Sequence, residues 1–532
     1  MLRSSRLNRT GGAAHFLRFK IEMKKNIMFI MIITVFIKIL GFGREIVLTY
    51  FYGASRISDV YLVAQTIPTT IFALIGAGLV TTFIPIYSKV QKEKGDQEAQ
   101  RFSSNVMNTV VILSSVIILL VLVFTPQVIL LFASGFKGET LDLAVLFTRI
   151  SIFGIAFSGL IYILNAYLQL KDNFVIPALI SLPMNLVLIF SIYLSDLAGI
   201  EILAYGILAS VVIQLLFIIP SVLKYRFKYK LVLDFKDPYL REMLLLSIPI
   251  IIGTSVNQLN VLVDKNIASN VALGGISALN YAYRLNVFIN GLFVSPIITV
   301  VYPRIAKKVI DGDESGLKSM MNDAILYISL LVIPASVGAM VLARPIIEFL
   351  FMRGEFDSSA AAMTSQALFY YALGMLAIAL RDVFSRIFYS YKDTKTPTVN
   401  AIIGVVLNII LNLILSRFMG IGGLALATSL SAMITTLLLI ISLRRKVRNF
   451  GFRETFQKLF KVLLASLLMG LVAYVVFESL LVSIGSSKAL ILSILVSGAV
   501  YLVLVILLKV PEVMGILKLF KEKIQGLRKK KG

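Results

Sequence analysis

Lys38, Arg44 and Arg284 are cations set inside long apolar runs, where an ionised side chain is expensive to keep and therefore earns attention first. Two stand in the first apolar run and one in the second half of the chain, and no equal number of acids lies near them. Cations from two parts of a chain that face one cavity imply an anionic ligand, and the forked donors of arginine suit phosphate oxygens. The expected ligand head group is a phosphate or pyrophosphate. A second constellation, Asp264 with Asn408, Asn412 and Thr428, offers oxygen ligands for a hard monovalent cation such as Na+. Asn408 and Asn412 are spaced i and i+4 and so share a helix face. The alternative for these four is hydrogen bonding between helices. Asp59, Arg149, Lys265, Arg381, Asp382 and Arg386 also fall within or beside apolar runs. For the acids and the 381–386 group the competing reading is internal pairing that fixes helix packing, for example Arg44 with Asp59. With no cysteine and the single histidine His15, there is no basis for a disulfide, thiolate catalysis, a transition-metal site or haem ligation. No G-x-x-x-x-G-K-[ST] loop is present, so ATP hydrolysis by that route is excluded and no cofactor is expected beyond Na+ as a coupling ion.

The elements that must position these residues are membrane helices. Of 532 residues 58% are hydrophobic and 15% charged, a balance that soluble domains do not reach. Apolar stretches long enough to span a bilayer fall near 27–50, 59–87, 106–132, 143–169, 174–195, 199–223, 243–268, 276–303, 320–343, 360–390, 397–416, 420–443, 459–480 and 487–509. This predicts an all-α polytopic membrane protein of about fourteen transmembrane helices. Lysine and arginine gather in alternate loops: Arg3 to Lys25; Lys89, Lys92, Lys94 and Arg101; Lys171; Lys224 to Arg241; Arg304, Lys307 and Lys308; Lys392 and Lys395; Arg444 to Arg448; and the tail through Lys531. The positive-inside rule then places both termini in the cytoplasm. The formal charge of +24 is chiefly an orientation signal, not a nucleic-acid footprint, although a polybasic tail also has the chemistry to touch anionic lipid. The apolar run after Lys25 lacks an A-x-A-type cleavage site and reads as an uncleaved first helix, with Met1 and Met23 both available as starts.

The two halves repeat at an offset of about 220 residues. Pro85 and Lys89 match Pro303 and Lys307; Lys171, Asp172 and Pro177 match Lys392, Asp393 and Pro397; Gly199 to Ala204 matches Gly420 to Ala425. The predicted organisation is a basic extension (1–26), a six-helix lobe (27–224), a basic linker (225–242), a second six-helix lobe (243–445), a helix pair outside the repeat (459–509) and a basic tail (510–532). Parallel repeats around a central cavity are a common transporter architecture and favour alternating access.

The stretch Lys38-Ile39-Leu40-Gly41-Phe42-Gly43-Arg44-Glu45, followed by Tyr52-Gly53-Ala54, Asp59, Pro68 and Phe83-Ile84-Pro85, resembles the first two helices of the MurJ (MviN) family. So do Tyr281-Ala282-Tyr283-Arg284-Leu285, Leu350-Phe351-Met352-Arg353-Gly354-Glu355-Phe356, and Phe388 through Pro397. The resemblance spans roughly 27–445 in family order. It implies the fold of the multidrug/oligosaccharidyl-lipid/polysaccharide exporter superfamily. It further implies a flippase that carries lipid II, the undecaprenyl-pyrophosphate-linked disaccharide-pentapeptide, to the outer leaflet of the bacterial cytoplasmic membrane. Family cavity cations fall on Lys38, Arg44 and Arg284, the acidic position falls on Asp59, and the extra helix pair becomes a groove for the lipid tail. There are two departures: lysine replaces arginine at 38, and Phe72 and Ala73 stand where well-known members carry arginine. The second leaves open another polyprenyl-linked glycan, of capsule or teichoic type, as cargo. A cation-coupled drug exporter fits these cations poorly, and a glycan polymerase would need a large outer loop or an acid dyad. The expected partners are lipid II and membrane lipids, with no nucleic acid, and the expected state is a monomer.

Overall fold

The computed structural model describes residues 33–447, 452–510 and 512–514; the expected N-terminal extension, Arg448 and most of the basic tail lie outside them. Among the described residues the chain is helical, with no strand. This is the arrangement a bilayer demands, because a helix satisfies its own backbone donors and acceptors where no water can. The first helix, α1, covers 33–52. The next are α2 (Arg56–Lys94), α3 (Asp96–Val123), α4 (Thr125–Phe132), α5 (Glu139–Ser151), α6 (Gly154–Leu170), α7 (Val175–Leu179), α8 (Ser181–Ala198) and α9 (Glu201–Lys224). The second half holds α10 (Pro238–Val271), α11 (Gly275–Ile289), a π-helical turn (Asn290–Val294), α12 (Ser295–Ile310), α13 (Glu314–Val341), α14 (Ala343–Phe351) and α15 (Ser358–Ser390). It ends with α16 (Lys395–Lys446), α17 (Phe452–Ile484) and α18 (Ser486–Leu507).

Twelve candidate membrane spans are present among the described residues. The longest, α16, has 52 residues and holds Gly420 at φ 58°, ψ −134°, so it is two helices meeting at a residue no other side chain would accept readily. That break is where the sequence placed the boundary between its eleventh and twelfth segments. Helix α1 is apolar apart from Lys38, Arg44 and Glu45. The third predicted segment is two pieces, α3 and α4, interrupted before Thr125-Pro126. Proline cannot donate a helical hydrogen bond and favours the first turn of a new helix.

The chain divides into two compact units. One comprises residues up to Leu48 with Val63–Ile129 and Leu141–Ser255; the other comprises Thr49–Leu62, Leu130–Thr140 and everything from Val256. The first unit is knit by a chain of rings at one end: Phe83 stacks on Phe102 at 6.0 Å, Tyr87 meets Tyr167 at 6.0 Å, and Tyr167 meets Phe227 at 4.9 Å. Helices α8 and α9 pack as a hairpin beside α6. In the second unit α15 packs against α11, α13 and α16. Helices α17 and α18 form a hairpin that docks on α13 through Leu326, Leu330 and Ile333 against Val462, Met469 and Val505. The Tyr501 hydroxyl donates to the Leu330 carbonyl at 2.7 Å. The amphipathic α14, which lies between the predicted segments 320–343 and 360–390, packs Ile346 and Phe349 against the same hairpin near Phe477 and Leu490.

Matching turns recur in the two halves. After α6 the residue in the left-handed region is Asp172 (φ 56°), with Asn173 N donating to Leu168 O; after α15 it is Lys392 (φ 58°), with Asp393 N donating to Phe388 O. The turns thus superpose at an offset of 220, one residue from the 221 at which the Lys-Asp pairs align. In the second turn Asp393 accepts from Lys446 at 2.8 Å and from the Thr396 amide at 3.0 Å, and the lysine holds its carboxyl down at about 2. A carboxyl depressed on folding adds stability above its ordinary pKa and loses it as pH falls through the lowered one. We expect Asp393→Asn to cost about 1 kcal/mol at neutral pH, since the pair is only partly shielded. The variant and parent should converge as pH approaches 2, measured by thermal unfolding in detergent.

Candidate functional site

Lys38 and Arg44 lie on α1, six residues apart, which places them about 120° apart around the helix. They do not share a face. Lys38 is exposed, whereas Arg44 is 7% exposed and pairs with the adjacent Glu45, itself 1% exposed, at 2.6 Å. Carrying a guanidinium into an apolar helix bundle requires such a partner, because removing either ion leaves the other buried and costs about 3–5 kcal/mol. Arg44 is therefore partly neutralised by Glu45.

Arg284 belongs to the second unit. On α11 it stands with Tyr283 and Val287 on the exposed side, while Tyr281, Ala282 and Leu285 are buried. The Tyr283 ring lies 5.7 Å from that of Tyr371. One turn beyond, Asn290 donates to Asn286 at 3.2 Å, and the helix widens into the π turn before resuming as α12. Such bulges are common at functional sites.

Asp59 does different work from the cations. Its Oδ1 accepts from the Ser277 amide at 2.7 Å and the Ser277 hydroxyl at 2.5 Å, within the second unit. Ser277 is in the first turn of α11, so a carboxylate from the start of α2 caps that helix where its amides lack partners and its dipole is positive. Around this cap the backbone packs closely. The Tyr281 hydroxyl donates to Gly53 O at 3.1 Å, and the Glu355 amide donates to Tyr50 O at 3.0 Å. Gly53, Gly274 and Gly354 all have positive φ, and a Cβ at Gly274 would stand 2.0 Å from Ala54 O. The motifs around Tyr52-Gly53-Ala54, Tyr281 and Gly354-Glu355-Phe356 meet here, far apart in sequence but adjacent in the unit.

The structure also brings Asp264, Asn408, Asn412 and Thr428 together. Asn412 Nδ2 donates to Asp264 Oδ1 at 2.6 Å and to Asn408 Oδ1 at 2.8 Å, and Asn408 reaches Thr428 Oγ1 at 3.2 Å. Asn260, which the sequence reading did not single out, joins them by donating to Asp264 Oδ2 at 3.3 Å. It precedes Asp264 by four residues, the spacing that would have flagged it. Lys265 turns away and donates to Leu62 O at 3.4 Å. Arg386 lies over the Tyr302 ring at 5.6 Å. Phe72, where well-known relatives carry arginine, is 5% exposed with its ring 5.0 Å from that of Tyr162; it fills space in the first unit.

Residues 47–498 match the family model described as Lipid II flippase MurJ. The chain belongs to the MurJ family. Its relatives include the probable lipid II flippase MurJ of Vibrio cholerae serotype O1, 30% identical over 438 residues that cover 79% of this chain and 83% of that protein. The corresponding Haemophilus influenzae protein is 30% identical over 460 residues, covering 82% and 89%. Among solved structures, a lipid II flippase MurJ in an inward closed conformation aligns with TM-score 0.79 at 30% identity, over 91% of this chain and 99% of that one. An inward-facing multidrug resistance MATE family transporter of the MOP superfamily, at 16% identity and TM-score 0.65, shares the fold. The chain is thus a helical, multi-span membrane protein of the MurJ family.

The chain has no cysteine, so single cysteines report the surroundings of Arg284 cleanly. We expect Val287→Cys, on the exposed side of α11, to react with a polar maleimide in membranes, and Ala282→Cys, fully buried, to stay unlabelled. A Val287→Cys as unreactive as Ala282→Cys would remove Arg284 from a water-filled site.

Proposed function

We propose that this MurJ-family protein is a lipid II flippase that moves the undecaprenyl-pyrophosphate-linked peptidoglycan precursor to the outer leaflet by alternating access. What carries the reading is the family match across 47–498, together with relatives named as lipid II flippases. Lys38, Arg44 and Arg284 supply positive charge for the pyrophosphate, and the polyprenyl tail stays in lipid beside α17 and α18. The chain runs fourteen times across the membrane when α1 is counted and α16 is taken as two spans broken at Gly420. Both termini face the cytoplasm, as the alternate basic loops require. The protein acts as a monomer and as a transporter, not an enzyme.

Coupling to sodium is the proposed role of Asp264, Asn408, Asn412 and Thr428. Their chemistry suits it: one carboxylate and neutral oxygens are what a hard monovalent cation takes. The amide nitrogens of Asn412 and Asn260 face the Asp264 carboxylate, and Asn412 Oδ1 is buried without a partner. Rotating the Asn412 amide would bring that oxygen toward the carboxylate, so the same residues can serve a cation or satisfy each other.

Complementation of a bacterium depleted of its own lipid II flippase, read with outer-leaflet lipid II accessibility, tests the cargo. Rescue is expected; failure of a well-inserted protein would favour another polyprenyl-linked glycan, the cargo that an uncharged Phe72 and Ala73 would allow. Arg284→Ala should abolish rescue without loss of insertion. Arg44→Ala should do the same, Arg44→Lys should retain part, and combining Arg44→Ala with Glu45→Gln separates ligand binding from an orphaned buried charge. If the paired variant restores full activity, Arg44 is a packing residue. Asp264→Asn should remove sodium dependence of transport in vesicles; unchanged transport in sodium-free medium by the parent protein would dispose of the site.

A further inference from the structure

The segment joining α9 to α10 is drawn as a basic linker by its sequence, but its backbone is held in a specific way. It runs extended along α3, pinned by polar side chains at positions 100, 104, 105 and 108 of that helix. The Lys228 amide donates to Gln100 Oε1 at 3.0 Å and the Lys230 amide to Ser104 Oγ at 3.1 Å. Asn108 Nδ2 donates to Lys230 O at 3.4 Å and Val232 O at 2.7 Å. The chain then turns back, and Asp234 exchanges two hydrogen bonds with Asn105, at 2.8 and 2.9 Å. From Gln100 to Asn108 is eight residues, about 12 Å of helix rise. The strap therefore climbs α3 and reverses at Leu231, between the two carbonyls that Asn108 holds.

The place of reversal matters. Immediately beyond Asn108 and Thr109, α3 becomes an apolar run, interrupted by Ser114 and Ser115, whose Leu113, Val116 and Leu119 are exposed. Leu231 thus lies level with the start of that run, and it is 89% exposed. Tyr229, Leu233 and Phe235 are about half exposed beside it. Behind the strap lies a cavity of about 150 Å³ of mixed lining, where Val232 of the strap joins Val90 and Phe102 beside the charged Lys94, Glu98, Arg101, Asp234 and Asp237; Leu231 and its outward neighbours do not line it. Interleaved with the outward aromatics and leucines are Lys224, Arg226, Lys228, Lys230 and Lys236, all exposed, and none makes an ion pair with a described residue. The two acids of the strap face the backbone instead, Asp234 accepting from the Lys236 amide at 2.9 Å and Asp237 from the Tyr239 amide at 2.8 Å.

We infer that residues 225–236 form a membrane-docking strap: the Leu231 apex enters the bilayer interface and the flanking lysines and arginine bind anionic phosphate head groups of the leaflet at that end of the protein. Apolar tips with cations that snorkel to phosphates are held jointly by the hydrophobic term and by surface potential. An unpartnered apolar apex at this depth has lipid as its natural neighbour, and five unneutralised cations give that neighbour its sign. The consequence for the whole chain is that the only covalent link between α9 and α10 is tethered both to α3 and to the leaflet.

Full-length protein carrying bimane on Leu231→Cys, reconstituted in nanodiscs with or without phosphatidylglycerol, tests this. Brominated acyl chains should quench Leu231→Cys as they quench a label at Leu119→Cys on the lipid face, while a label at Lys92→Cys stays unquenched. Removing phosphatidylglycerol, or introducing Arg226→Gln, Lys228→Gln and Lys230→Gln together, should reduce quenching at Leu231 and leave that at Leu119 unchanged, which also shows that the fold persists. A Leu231 label as unquenched as the Lys92 label places the strap in water, free for a cytosolic protein, and overturns the proposal. Quenching indifferent to both phosphatidylglycerol and the three substitutions overturns the assignment to anionic head groups.

Discussion

The carboxylate of Asp59 on the first turn of α11 is the interaction on which the second unit's end depends. A helix beginning at Gly275 presents amides with no acceptor of their own, and at the edge of a bilayer water is a poor substitute for a built partner. Asp59 supplies a charged acceptor to Ser277 through both its amide and its hydroxyl. Because that acid comes from the start of α2, satisfying α11 draws Thr49–Leu62 into the unit built from the second half of the chain. The close approaches follow from it. Once the chain is drawn in, Tyr50 O and Ala54 O lie where side chains would stand on Gly354 and Gly274, and glycine with positive φ is what fits. Any state in which residues 49–62 leave this unit must find other acceptors for the α11 amides, so their departure is coupled to a cost of about 0.5–2 kcal/mol for the cap alone.

The same rule, that ions within apolar segments need company, is met at other charges. Arg44 has Glu45, Arg386 has the Tyr302 face, Lys265 has the Leu62 carbonyl and Asp264 has amide donors. Each solution is local and uses the residue type that the geometry allows. Arg284, Lys38 and Arg386 stand on exposed faces of their helices, whereas Arg44 is buried. Whether a cation is buried in packing or stands on an exposed face is a property of helix phase, and phase is set by which neighbours are buried.

That distinction explains what the sequence could and could not disclose. Apolar runs and their breaks reported the helices well, down to Gly420 and the glycine-rich turns, because bilayer thickness and backbone satisfaction leave few alternatives. The i, i+4 pair Asn408 and Asn412 was legible for the same reason, and Asp264 was grouped with it by chemistry alone. Pairing was not legible in the same way. Arg44 and Glu45 are adjacent, a spacing at which helical side chains do not normally face each other, so nothing in periodicity singled out their bond. Helix α14 escaped notice because nine residues are too short for a span and its apolar face is shared with loop-like motifs. The strap at 225–236 looked like a basic linker because the residues that order it, Gln100, Ser104, Asn105 and Asn108, sit more than a hundred positions earlier.

The irregular turn after Arg284 then acquires a reason. Asn290–Val294 is π-helical, which widens the helix by one residue per turn there and separates α11 from α12. Upstream, α11 is fixed by Asp59 at its first turn and by Tyr281 packed between Phe351 and Phe356. Downstream, α12 carries Pro303, which removes another backbone hydrogen bond. A continuous helix would transmit any tilt of α12 straight to the cap and to Arg284. A helix interrupted between them can take up such a tilt at the π turn, which leaves the exposed guanidinium on the segment that the cap holds. The cation is thus held by the part of the span that the Asp59 cap anchors, and the π turn lies beyond it.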